Sequence, residues 1–209
     1  MTHDVTRQEA ATLIDRFLQG SVGPREWDDF ISTRHRDLIV ERASRMCTAL
    51  DTLYPAETKG HYCNASGVEL LRMLAIGLRD SSPSVQLRAG DILASALEAD
   101  AALQETGDVR QLGAAQERTW VQVVAIAPDY SEPVGLAFTF WDQWADAANH
   151  EWRHYDPVTR SDWPRYAREI AEGLRQGRLP DDKRLLDLIS FKPTRTFRQW
   201  LSDLFWRAV

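Results

Sequence analysis

The stretch Ser131–Asp156, SEPVGLAFTFWDQWADAANHEWRHYD, constrains this chain more than any other. Ser131 followed by Pro133 suits a helix start, because a proline in the first turn gives up only an amide that has no helical partner. From there Val134, Phe138, Trp141, Ala145, Ala148 and Trp152 recur every three or four residues. That spacing predicts one apolar face of a helix of about 20 residues, roughly 30 Å long. A face carrying two tryptophans and a phenylalanine has to be covered by other elements, so this helix is expected to be central to its half of the chain.

The 209 residues allow one large or two small domains, and a hydrophobic content of 44% supports a substantial core. A net charge of −6 with no long basic face argues against nucleic acid as a partner. No apolar run approaches the roughly 18 residues needed to span a bilayer, so no membrane insertion is expected. The first residues, MTHDVTRQEA, lack an apolar signal-peptide core. Cys47 and Cys63 are too few for a disulfide framework and are expected to be reduced, which makes the cytoplasm the expected location.

Before residue 105 the pattern is helical throughout. Thr6 and Glu9 have capping-box spacing ahead of Leu13, Ile14, Phe17 and Leu18, and Gly20 is a natural stop. Glu26–Ile31 reads as a short turn of helix with Trp27, Phe30 and Ile31 inward and Asp28 and Asp29 outward. Asp37 opens the next helix, with Leu38, Met46, Leu50 and Leu53 expected inside and Tyr54-Pro55 as its end. Ser66 and Glu69 suggest a second capping box ahead of Val68, Leu71, Leu74 and Leu78. Ser82-Pro83 starts a helix toward Leu103, with Val85, Ile92, Ala96, Leu97 and Leu103 inside and Gly90 as a weak point.

Several of these features occur in a fixed order: Phe17-Leu18-Gln19-Gly20, Trp27-Asp28-Asp29-Phe30-Ile31-Ser32, Cys47, Tyr54-Pro55, and Tyr62-Cys63 ahead of Gly67. In this they resemble a family of small uncharacterised bacterial proteins with the pattern FLxG, WDDFIS, a lone Cys, YP and YC. The resemblance covers about residues 10–80. It implies a bacterial relationship and carries no activity with it.

The two halves differ in composition. Seven of the eight tryptophans follow residue 105, while residues 1–105 hold 16 acidic and 11 basic side chains, a net −5. The expected organisation is an acidic helical bundle over 1–105 and a Trp-rich helical region over 106–209, with Glu105–Gly113 as linker. Thr119–Ile126 is the one β-rich run; joined through Pro128-Asp129-Tyr130 to Val134–Trp141, it reads either as a hairpin near 119–141 or as helix. The continuity of the stripe toward Trp152 favours helix. Asp162-Trp163-Pro164 is expected to start a helix with Tyr166, Ala167, Ile170 and Leu174 inside, and shorter helices are expected around Leu185–Ile189 and over Thr196–Ala208. The fold class is therefore mainly α, as two packed helical halves.

The only string that resembles a catalytic motif is His150-Glu151-Trp152-Arg153-His154. H-E-x-x-H on a helix places His150 and His154 one turn apart, able to share Zn²⁺, with Glu151 as the general base acting on a metal-bound water. Arg153 between the histidines and the lack of a recognisable third ligand weigh against it, so no cofactor is the expectation and zinc the alternative. Cys47, His61 and Cys63 are too few and too closely spaced to resemble a metal knuckle. Trp27-Asp28-Asp29 and the run Trp141–Asp146, with Asp142 and Asp146, pair aromatics with carboxylates. They read as amphipathic helices with acidic rims or as a surface that recognises a basic protein. The functional expectation is a non-catalytic binding protein, of immunity-protein or antitoxin type, that neutralises a basic partner. A zinc hydrolase using His150, Glu151 and His154 and a structural subunit of a larger assembly are the alternatives.

Overall fold

A computed structural model describes residues 5–106, 111–150 and 157–179, with side chains except at 146–150 and 157–161. It contains eight helices among the described residues: α1 Arg7–Leu18, α2 Pro24–Ser32, α3 Leu38–Leu53, α4 Ala65–Gly77, α5 Pro83–Glu105, α6 Gln116–Ile126, α7 Glu132–His150 and α8 Pro157–Arg175. No strand occurs among these residues, so the hairpin alternative over 119–141 is replaced by α6, a short turn and α7. The fold is mainly α, with helices packed on helices.

The β-rich look of Thr119–Ile126 has a simple origin. Val121, Val124 and Ala125 enter a core built by α1–α4, while Val123 on the same helix and the following Ala127 enter a second core with α5, α7 and α8. A helix buried on most of its circumference shows an unbroken apolar run, which periodicity cannot distinguish from a buried strand. At its end α6 closes on α4: a Cβ added to Gly77 would lie 2.5 Å from the Ile126 carbonyl oxygen.

The local signals mostly act as read. Thr6 and Glu9 form the capping box, Asp37 caps α3 through the Ile39 and Val40 amides, and Gly20 follows α1 at a φ of 69°. The cap of α4 is different. Asn64 accepts from the Gly67 amide at 3.1 Å, so the helix starts ahead of the expected Ser66–Glu69 box, and Glu69 pairs with Arg72 instead. Asn64 is fixed there because its own amide donates to the Tyr54 carbonyl at 2.9 Å. Leu38, expected inside, is 70% exposed at the first position of α3.

The packing of α5 on α8 revises two further expectations. The fully buried face of α5 is Ala89, Gly90, Leu93, Ala94, Leu97 and Ala101, with Val85, Ile92, Ala96 and Leu103 only half-buried beside it. Small residues let α8 approach closely: a Cβ on Gly90 would stand 2.8 Å from the Leu174 carbonyl oxygen. Gly90 is thus a contact point rather than a weak one. Helix α8 begins at Pro157, earlier than Asp162-Trp163-Pro164, and carries Pro164 inside it. A proline within a helix costs about 3 kcal/mol or more. The near-complete burial of Trp163 and Tyr166 and the complete burial of Ala167 and Ile170 offset that cost. Glu98 and Arg175 add a bidentate ion pair between the two helices at 2.7 and 2.6 Å.

The tryptophan stripe of α7 lies where its spacing predicts, with Val134, Phe138, Trp141 and Ala145 buried in the second core. Trp144 joins them, its indole N–H donating to Gln104 at 2.9 Å. The side chain of Ala148 and all of Trp152 lie outside the described residues, as do the helices expected around Leu185–Ile189 and over Thr196–Ala208.

Candidate functional site

Phe17, Trp27, Cys47, Tyr62, Cys63 and Gly67 come together in the first core. Phe17 stacks on Trp27 with centroids 3.7 Å apart, and Tyr62 stands edge-on to both rings. The Tyr62 hydroxyl donates to the Cys47 carbonyl at 2.6 Å. Gly67 lies so close to Cys63 that an added Cβ would stand 2.7 Å from its Sγ. Burial raises both thiols and the Tyr62 phenol above their ordinary values, so all three stay protonated at neutral pH. A protonated buried thiol is a poor nucleophile and metal ligand. His61, the histidine nearest in sequence, is exposed. This motif therefore builds an aromatic core. Trp27, a sequence candidate for partner binding, is 3% exposed and belongs to it, while Asp28 and Asp29 remain exposed on α2.

A different cluster faces solvent between α6 and α7. Gly113 in the turn before α6, Gln116, Glu117 and Trp120 on α6, and Gly135, Phe138, Thr139 and Asp142 on α7 line, together with Tyr130, a groove of about 450 Å³. Three aromatic rings form its apolar part: Phe138 is buried, while Trp120 and Tyr130 are half-buried. Glu117 and Asp142 are the exposed carboxylates, one from each helix. The Gln116 side-chain amide donates to the Asp142 carboxylate and orients it. Behind the groove, the Arg42 guanidinium lies 4.0 Å from the Tyr130 ring centroid and donates to the Pro128 carbonyl at 3.2 Å. The lining contains no cysteine, serine, histidine or lysine. Its chemistry is that of holding a cation against aromatic faces.

A deeper carboxylate supports this region. Asp100 on α5 is 3% exposed and accepts from the Trp141 indole N–H at 2.6 Å and from the Gly113 amide at 3.0 Å. Burial raises its pKa above the ordinary carboxylate value, against the opposing effect of those two hydrogen bonds. Through these bonds it fixes both Gly113 at one end of the groove and the indole one residue before Asp142.

Among the sequence candidates, only Asp142 lies in the groove. Asp28 and Asp29 sit on a helix of the first core. The side chains of Asp146 and His150 lie outside the described ones, and Glu151 and His154 lie outside the described residues altogether. His150 is the last residue of α7. Among the described residues no three histidine, cysteine, aspartate or glutamate side chains come together as a metal site would require. A second cleft, of about 490 Å³, lies between α5 and α6 and is lined by Arg88, Asp91, Ser95, Thr119 and Gln122 among others, where opposite charges balance.

Sequence reasoning missed Glu117, Trp120, Tyr130, Gly135 and Phe138 as site residues. Part of the signal was present: positions 116, 117 and 120 and positions 135, 138, 139 and 142 each fall on one side of a helix. It becomes readable once both segments are helices. No family model matches the chain, and it matches no curated protein and no solved structure. No described helix is long and apolar enough to cross a membrane.

Proposed function

We propose that this chain is a non-catalytic binding protein that captures a basic protein partner, as an immunity protein or antitoxin does. The observation that supports this reading is the α6–α7 groove, where aromatic rings and two carboxylates on neighbouring helices face solvent together. Aromatic side chains are favoured at interface centres, and carboxylates around them select a cationic partner and exclude an anionic one. The exposed Asp28 and Asp29 and the net charge of −6 extend the same preference across the surface and favour electrostatic steering. The resemblance of residues 10–80 to small bacterial proteins makes a bacterial cytoplasm the natural setting of this reading.

Affinity capture tests it, with wild-type protein compared against Glu117→Lys/Asp142→Lys and Asp28→Lys/Asp29→Lys. The expected result is a basic partner retained by the wild type and lost with the groove variant, with an association rate that falls as salt rises. Capture of an acidic partner, or equal retention of the same basic partner by all three proteins, would overturn the reading.

A further inference from the structure

We infer that the α6–α7 groove takes the guanidinium group of a single arginine side chain, which serves as the anchor of the basic partner. The identity of the arginine's source rests on the proposed function; the chemistry of the groove stands on its own geometry.

Trp120, Tyr130 and Phe138 present ring surface in one cleft of about 450 Å³, within the roughly 300–1,000 Å³ range of small-ligand clefts. A planar delocalised cation lies flat on such surface, whereas a compact ammonium keeps its hydration. The fold already contains an instance of this contact, since Arg42 occupies a position 4.0 Å from the Tyr130 centroid.

Glu117 from α6 and Asp142 from α7 line the groove together with those rings, so a guanidinium held there meets carboxylate acceptors from two helices for its fork of N–H donors. They are the two carboxylates of the lining. An aliphatic anchor would cover them without offering a hydrogen bond, and an anionic one would be repelled.

Position 135 is a glycine. It lies within the first turn and a half of α7, at a negative φ, and a Cβ there would meet only the Tyr130 ring at 3.5 Å, an ordinary contact. Neither backbone conformation nor packing requires glycine, which costs about 1 kcal/mol relative to alanine in a helix. What its missing side chain does provide is open space along the groove wall.

The test titrates N-acetyl-arginine amide, N-acetyl-lysine amide and N-acetyl-norleucine amide into the full-length chain and follows the indole N–H resonance of Trp120, identified with Trp120→Phe. The arginine compound is expected to shift that resonance saturably and to bind roughly fivefold more tightly than the lysine compound. The norleucine compound should give no saturable shift. Glu117→Gln/Asp142→Asn should weaken arginine binding roughly tenfold. Gly135→Leu should remove it while the helical circular dichroism is retained. If Gly135→Leu does not fold, the charge-neutral pair decides alone, because both of its sites are at the surface. Equal binding of norleucine and arginine amides, unchanged affinity in the charge-neutral pair, or no saturable shift at all would overturn the inference. Saturable arginine binding without a basic partner in the capture experiment would leave this inference standing and remove the proposed function. A basic partner lost from the Lys variants, with no probe binding, would do the reverse.

Discussion

Trp141 donates its indole N–H to the Asp100 carboxylate at 2.6 Å, across 41 residues of sequence. The same carboxylate oxygen holds the Gly113 amide. One buried acid therefore ties α5 to the tryptophan stripe of α7 and to the start of the segment leading into α6.

Removing that acid should be costly in a way that depends on what replaces it. Asp100→Ala leaves two buried donors without an acceptor and should destabilise by about 3 kcal/mol. Asp100→Asn keeps an amide oxygen for both donors and should cost much less. Chemical denaturation of the two variants beside the wild type checks the order; equal losses would remove Asp100 as the acceptor that matters.

The pH dependence follows from the direction of the Asp100 shift. Burial raises the folded-state value, so the folded protein holds this proton more tightly than the unfolded chain. The contribution to stability is full below about pH 4 and is lost as the pH rises through the raised folded value. Glu98, lowered by its hydrogen bonds with Arg175, works in the opposite sense. The informative measurement is therefore the difference between wild type and Asp100→Asn. Its stability relative to the wild type should grow from pH 4 upward, and a difference that stays flat would contradict the assignment.

Gly90 and Gly135 should answer the same substitution with opposite signs. Gly135→Ala meets no obstacle and should stabilise by about 1 kcal/mol, which for a chain of this size raises Tm by about 2–4 °C. Gly90→Ala places its Cβ against the Leu174 carbonyl and should destabilise by about 1–3 kcal/mol. Thermal unfolding of both variants is sufficient, and matching signs would refute the close α5–α8 approach or the open groove wall.

The Phe17–Trp27–Tyr62 cluster predicts a structural role for these three residues. Trp27→Ala should cost about 3–5 kcal/mol, and Tyr62→Phe, which loses the bond to the Cys47 carbonyl, about 1 kcal/mol. A Trp27→Ala protein with wild-type stability would show that the stacked ring is not part of the core.

Protein purified and dialysed is expected to hold no stoichiometric zinc, because the His150–His154 pair brings Arg153 with it and no marked third ligand. Elemental analysis reads this directly. One zinc per chain that disappears on combining His150→Ala with His154→Ala would put the hydrolase alternative ahead of partner binding.

Much of the fold was legible because the signals involved are local. Thr6 and Asp37 cap their helices through amides two or three residues away, and Pro133 begins α7 by the same short-range logic. The stripe Val134–Phe138–Trp141–Ala145 was readable because its residues recur every three or four positions, although Phe140 and Trp144 widen the buried arc of α7 beyond it. Leu38 is exposed despite its apolar identity, and on α5 Leu97 was legible while Ala89, Gly90 and Ala94 were not, because their burial depends on how closely α8 approaches. Of the candidate site, Asp142 was visible as a carboxylate beside tryptophans. Its neighbours Glu117 and Trp120 were hidden inside a run whose conformation was itself undecided.

The sequence by itself determined that this chain forms helices, where α1, α3, α5 and α7 start, and that α7 carries a face demanding cover. Those properties depend on capping groups and on spacing within a few residues, which neighbouring side chains enforce wherever the helix lies. Only the tertiary structure decided that α6 is a helix shared between two cores, that Asp100 meets Trp141, and that Glu117 and Asp142 face one groove. Each of these joins residues that periodicity treats separately, and each is set by which helices can approach closely. That approach is governed by the absent side chains of Gly77 and Gly90 as much as by any side chain present.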